Sequence, residues 1–260
     1  MNFLSLLLRK TWRALFFLNG IITFIIMFPV FYVLLLKEKW FKTVFKLKRF
    51  WAKLIIFNVG IRYRIIDLNK KELPQPCVIC PNHTSFLDIV MTYIVFSRYF
   101  HFMGKAELKK VPLFNKFFDR MNILVDRGSI MGSHRAFTRA SSDIEKGVSI
   151  AIFPEATIPE SSPHLGRLKN GAFKLAIENQ VPIIPVVFID NWKLLPDGIL
   201  RKTGGAPGLS RVVIHEPIHT MGMTELNLNE LKSKYSQVMN HTLNEYHCVR
   251  DSEKLKELVC

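Results

Sequence analysis

One short stretch of the chain collects the residue types of proton-transfer chemistry: Asn82-His83-Thr84-Ser85-Phe86-Leu87-Asp88. A carboxylate that holds one imidazole nitrogen fixes the tautomer and raises the basicity of the other nitrogen. That second nitrogen can act as general base toward a hydroxyl. On a regular helix, residues five apart point roughly 140° apart and cannot pair. The spacing works if His83 sits in a loop and Asp88 in the first turn of the helix that follows. By itself such a spacing is common, and a surface histidine beside a helix-capping aspartate gives the same letters.

The elements around it must position these groups. Short apolar runs at residues 61–66, 77–80, 101–104, 123–125, 149–153, 183–189 and 211–215 read as strands. Helical patterns occupy 86–96, 132–146, 169–179 and 224–249, and Pro112 suits the first turn of a helix reaching Asp119. Gly147 is the expected stop of the helix at 132–146. Strands alternating with helices make an α/β domain. Between residues 60 and 220 each chemical candidate stands at a strand end or in the loop just after it, where such folds place their sites.

The His83 segment resembles the first motif of the membrane-bound glycerolipid acyltransferases, the lysophosphatidic acid acyltransferase family. Three further blocks match in the family's order. Gly104-Lys105-Ala106-Glu107-Leu108, Pro112 and Ile123-Leu124-Val125-Asp126-Arg127 look like the second. Phe153-Pro154-Glu155-Ala156-Thr157 looks like the third, and Val181-Pro182-Ile183-Ile184-Pro185 like the fourth. The resemblance implies a glycerol-3-phosphate acyltransferase-like fold, with a central mixed, largely parallel sheet flanked by helices. It implies that His83 deprotonates the acceptor hydroxyl and Asp88 orients His83, with no acyl-enzyme. Arg127, Glu155 and Thr157 would hold the acceptor's phosphate and glycerol portion, and Lys105 would add charge near the phosphate. Glu155 would repel a phosphate, so it better suits accepting a hydrogen bond from an acceptor hydroxyl or positioning a base; a structural partnership with Arg127 or Lys105 is its alternative. Two positions depart from the family pattern. Ala156 replaces a glycine, a small change if the backbone there does not need positive φ. Ile158 stands where many members carry arginine; either Arg167 or Lys169 substitutes, or the acceptor is not a simple phosphate ester.

The charge is unevenly placed. The 260 residues carry a formal net charge of +15. In the first 60, Lys or Arg occurs at positions 9, 10, 13, 37, 39, 42, 46, 48, 49 and 53, against Glu38 alone. These bases bracket Ala14–Leu36, an uncharged apolar run long enough to cross a bilayer. Residues 40–57 interleave aromatic and aliphatic side chains with lysines, as a helix in the headgroup plane would, or a helix packed on the protein's own core. Asn19-Gly20 and Pro29 are the bend points of a hairpin; a straight span fits equally. The expected division is 1–58 for membrane-anchoring helices and 59–260 for the catalytic domain.

Such a chain excludes a disordered or disulfide-framed protein, and its bases form no nucleic-acid motif. Cys77 and Cys80 make a lone CxxC on a strand, with no second pair to complete a metal site. No metal or bound cofactor is expected. The resemblance implies acyl transfer from an acyl carrier protein or coenzyme A thioester to 1-acyl-sn-glycerol-3-phosphate, on the cytoplasmic face of an anionic membrane (the inner membrane in a bacterium). The alternatives are acylation of another lysolipid, such as a lyso-ornithine-type aminolipid or another lysophospholipid, and a non-catalytic lipid-binding protein on the same fold.

Overall fold

The computed structural model describes residues 2–69, 71–105, 120–126, 128–197 and 202–257, with the side chains of residues 105 and 248–257 outside that description. The helix expected from Pro112 to Asp119 falls outside the described residues.

Seven strands form one sheet in the order β1-β7-β6-β2-β5-β3-β4. They are β1 (Ile61–Asp67), β2 (Val78–Pro81), β3 (Phe100–Lys105), β4 (Ile123–Val125), β5 (Ser149–Ala151), β6 (Ile183–Phe188) and β7 (Gly208–Ile214). Every pairing is parallel except β6 with β7, where Val186 faces Ile214. β6 is buried at all six positions, as a central strand covered on both faces should be. The mixed, largely parallel sheet expected from the resemblance is therefore present.

Side-chain alternation sends neighbouring residues of each strand to opposite faces. Ile79, Ala151, Ile184, Val186 and Val212 join one hydrophobic cluster, with residues of α1 (Phe3–Leu34), α2 (Phe41–Asn58) and α3 (Leu87–Val95). Val78, Cys80, Ile150, Ile183, Val187 and Val213 join the other, with α4 (Ile130–Glu145), α5 (Gly171–Glu178) and α7 (Leu228–Glu257). A one-turn helix, α6 (Asn191–Leu194), follows β6. Gly147 ends α4 at φ +81°, its N–H reaching the Ile144 carbonyl at 2.8 Å.

α1 runs without interruption through both Asn19-Gly20 and Pro29, so neither is a bend point. It begins eleven residues before the uncharged run. The hairpin lies instead between α1 and α2, turning at residues 35–40 and clasped by polar side chains. Trp51 Nε1 donates to Thr23 Oγ1 (2.9 Å), Asn19 Nδ2 to the Ile55 carbonyl (3.1 Å) and Asn58 Nδ2 to Asn19 Oδ1 (2.9 Å). One side of α1 still faces outward, with Leu15, Leu18, Ile21, Ile22, Ile25 and Ile26 exposed, and α1 is the one helix among the described residues long and apolar enough to cross a membrane.

One face of α2 is buried, as in the second arrangement its sequence fits. Val44, Phe45, Ala52, Ile55 and Ile56 are buried, and Lys48 lies buried among them with Nζ 5.7 Å from the Tyr93 ring. Arg49 donates to the carbonyls of Tyr93 (3.0 Å) and Ile94 (3.4 Å) at the end of α3. The helix thus packs on the protein's own core, leaving Lys42, Lys46 and Lys53 outside with Phe50 and Phe57.

Candidate active site

The site gathers where β2 and β5 end. Asn82 pins the start of the β2 loop to β6: its Oδ1 accepts from the Phe188 N–H (2.7 Å) and its Nδ2 donates to the Phe188 carbonyl (3.2 Å). The chain then turns through Thr84 and Ser85 into α3. Asp88, in the first helical turn and fully buried, accepts with Oδ2 from the backbone N–H of Thr84 (2.6 Å) and Ser85 (2.8 Å). A carboxylate there satisfies N–H groups that the start of a helix leaves without partners. The same Oδ2 lies 3.0 Å from His83 Nδ1. An ionised carboxylate only accepts, so Nδ1 carries the proton and Nε2 is left as the base.

The loop-plus-first-turn geometry expected from the spacing is therefore realised. Asn191 and Ser210, which the sequence reading missed, and Phe153 of the third motif complete it. Asn191, at the start of α6, donates from Nδ2 to Asp88 Oδ1 (2.8 Å), and its Oδ1 accepts from Ser210 Oγ of β7 (2.6 Å). Phe153 stacks on the imidazole at 4.0 Å and 15° between planes, an apolar wall for the ring.

Glu155 lies close by but does not reach the imidazole. Its Oε1 accepts from the His83 backbone N–H (2.7 Å) and its Oε2 from the Gly166 N–H (2.6 Å). These contacts tie the His83 backbone to the Gly166 backbone through one carboxylate. Only 4% of it is exposed. Burial pushes its pKa up to about 7, against the pull of the His83 and Gly166 N–H groups. The Glu155 clamp folds the 158–169 loop back over the third motif, where the Lys169 N–H also reaches the Pro154 carbonyl (2.8 Å).

Ala156 sits at φ +66°. The backbone here does need the left-handed region, so alanine in place of glycine is a strained choice, contrary to the mild reading of that substitution.

Of the proposed substrate contacts, Thr157 and Arg167 are exposed on this loop, Arg167 directly after Gly166. Lys105 ends β3 beside Val125, its side chain outside the described residues. Arg127 lies outside them altogether. Cys77 and Cys80 are buried free thiols, and no group of potential metal ligands occurs among the described residues.

α1 approaches the same end of the sheet. Phe17 meets Phe86, within the His83–Asp88 loop, edge-on at 6.3 Å. Arg9 Nε donates to the Thr203 carbonyl (2.9 Å), Trp12 Nε1 to the Val59 carbonyl (3.0 Å), and the Arg13 guanidinium to the Pro196 carbonyl.

Comparison with known proteins places this geometry. Residues 64–189, which include His83, Asp88, Phe153 and Glu155 but not Asn191 or Ser210, match the family model Acyltransferase. A chloroplastic 1-acyl-sn-glycerol-3-phosphate acyltransferase of Brassica napus is 29% identical over 199 residues, covering 74% of this chain and 55% of that one. An uncharacterized acyltransferase of Schizosaccharomyces pombe is 31% identical over 204 residues, covering 76% and 70%. A probable 1-acyl-sn-glycerol-3-phosphate acyltransferase of Mycoplasma genitalium is 27% identical over 212 residues, covering 77% and 76%. The chain spans about half the length of the plant relatives it matches. The fold matches the crystal structure of the 1-acyl-sn-glycerophosphate acyltransferase of Thermotoga maritima with a TM-score of 0.73 at 22% identity, covering 91% of this chain and 97% of that one. Motif order, dyad geometry, sheet topology and relatives agree: the chain belongs to the acyltransferase family.

Proposed function

We propose that the chain transfers a fatty acyl group from an acyl carrier protein or coenzyme A thioester to the free hydroxyl of 1-acyl-sn-glycerol-3-phosphate, giving phosphatidic acid. The observation that carries this reading is the His83 Nδ1–Asp88 Oδ2 contact, which leaves Nε2 as a base at the loop edge. Nε2 takes the hydroxyl proton as the oxygen attacks the thioester carbonyl. The tetrahedral intermediate collapses, the C–S bond breaks, and the imidazolium returns its proton to the departing thiolate. Asp88 stabilises the imidazolium while it exists. No covalent enzyme intermediate is needed. Glu155 keeps the His83 backbone fixed throughout.

Arg127, Lys105 and Arg167 are the candidates for the acceptor phosphate, since guanidinium and ammonium groups suit it. Thr157 is exposed beside Glu155 and suits the glycerol portion. The outward apolar side of α1 and the Phe17–Phe86 contact support a lipid acceptor reaching His83 along the membrane surface. Ile158, in place of the arginine common at that position, favours a second reading in which another lysolipid, phosphate-bearing or lyso-ornithine-type, is the acceptor.

Purified protein in detergent, offered both thioester types and a panel of lysolipids, tests the proposal. His83→Ala should lower turnover by roughly 10²–10⁴-fold with the fold retained. A folded His83→Ala protein that acylates at the wild-type rate overturns it. Preference for a phosphate-free acceptor would replace the first reading with the second.

A further inference from the structure

The end of the sheet opposite His83 holds a second concave surface. Tyr99 and Val148 stand just before β3 and β5 begin, whereas His83 and Glu155 follow the ends of β2 and β5. These strands are parallel, so the two sites face opposite ways along them. The groove encloses about 680 Å³. Lys42 of α2, Arg120, and Arg135, Arg139 and Lys146 line it. The last three share one side of α4 and its C-terminal turn, next to the buried stripe of Gly132, Ala136, Ala140 and Ile144.

Two carboxylates line the groove, Glu38 and Asp143. Asp143 is engaged: its Oδ2 lies 2.8 Å from His101 Nδ1, and His101 Nε2 lies 2.7 Å from the Tyr99 hydroxyl. This chain builds an ordered floor and keeps the Asp143 charge turned inward. Arg120 is also fixed, donating to the Leu35 and Leu36 carbonyls at the foot of α1 (2.6 and 3.2 Å). Arg139 reaches the Arg120 carbonyl at 3.3 Å. Among the described residues, Lys42, Arg135 and Lys146 enter no ion pair.

Cations gathered in a concavity repel one another and focus a positive potential there. An anion relieves that cost, and a phosphate group matches both the guanidinium fork and the lysine point charge. We infer that this groove binds a phosphate-bearing anion at a site separate from the acyl-transfer centre. The ligand chemistry is a phosphate ester, supplied either by an anionic lipid headgroup or by a soluble phosphorylated molecule. Lys42 belongs to the basic collar at the α1–α2 turn, which brings the first source within reach; the open groove admits the second.

The test uses the full chain in neutral detergent and Arg135→Glu/Lys146→Glu, two exposed positions away from His83. One probe is pyrophosphate, followed by calorimetry. The other is phosphatidylcholine vesicles with and without phosphatidylglycerol, where the gain from phosphatidylglycerol is read. The double variant should weaken binding on the order of tenfold while acyl transfer in detergent stays at the wild-type rate. Loss on pyrophosphate alone assigns a soluble ligand, loss on vesicles alone a headgroup, and loss on both the phosphate group itself. If the charge reversal fails to fold, Arg135→Gln/Lys146→Gln gives the same readouts. Wild-type affinity of a folded variant for both probes overturns the inference, as does failure of the wild-type chain to bind either.

Discussion

Asn191 holds the oxygen of Asp88 that His83 does not face. Its Nδ2 donates to Asp88 Oδ1 at 2.8 Å, while Ser210 fixes the amide from the other side. Asp88 is thereby clamped by Thr84, Ser85, His83 and Asn191 together. Asn191→Ala leaves a buried carboxylate oxygen and the Ser210 hydroxyl without this partner. The expected result is a fall in kcat of roughly tenfold with KM for both substrates little changed. Asn191→Asp puts a second carboxylate against Asp88 and should fall further. Steady-state kinetics on folded variants checks both.

Ala156 occupies φ +66°, where glycine is unstrained. Ala156→Gly should stabilise the protein by up to about 1 kcal/mol, less the backbone freedom glycine regains on unfolding. The measurement is Tm in one detergent, which should rise by a few degrees at most.

Glu155 makes stability depend on pH. Its folded pKa of about 7 lies above the ordinary glutamate value of about 4.5. The folded chain therefore keeps a proton that the unfolded chain gives up, so stability from this group is greatest at low pH and is lost as pH rises from about 4.5 to about 7. The full change amounts to about 3 kcal/mol. Glu155→Gln removes that titration. Its stability relative to wild type should therefore improve across this window, on top of a constant loss from offering an amide N–H to a backbone donor. Denaturation midpoints of both proteins at several pH values check the slope.

Gly204 lets the N-terminal end of α1 dock. It lies at φ +72°, and a Cβ there would come within 2.5 Å of the Arg9 backbone. Gly204→Ala should push the Arg9 turn away, breaking the Gly205 N–H contact to the Arg9 carbonyl (2.9 Å). The expected signs are faster proteolysis near residue 10 and a loss of about 1–3 kcal/mol in stability.

The sequence revealed the contacts that are local. His83 and Asp88 are five residues apart, and one loop with one helical turn is enough to join them. The strands were legible as apolar runs because most are buried on both faces. Glu155 was legible as a motif residue, but its partner, the His83 N–H, lies 72 residues away and is set by the parallel pairing of β2 and β5. Asn191 left only a faint trace, as a polar pair with Asp190 at the end of an apolar strand, and Ser210 none. Lys48 was misread by its charge: Val44, Lys48, Ala52 and Ile55 fall on one helical stripe, and that stripe faces the core. The strain at Ala156 could not be read from an alanine, which carries no mark of its backbone angle.

The antiparallel pairing of β7 with β6 has a consequence for the order of synthesis. Antiparallel pairing keeps the chain at the catalytic end between β6 and β7, and there Pro196 meets Arg13, Thr203 meets Arg9 and Gly205 meets Arg9 and Trp12. The bond from Arg9 to Thr203 spans 194 residues. α1 is made before the strands it packs on, and while Trp12 finds Val59 early, Arg9 and Arg13 find their partners only after β6 has followed. The stretch just before β7, the last of the described strands to be made, is what fastens the N-terminal end of the first helix in place.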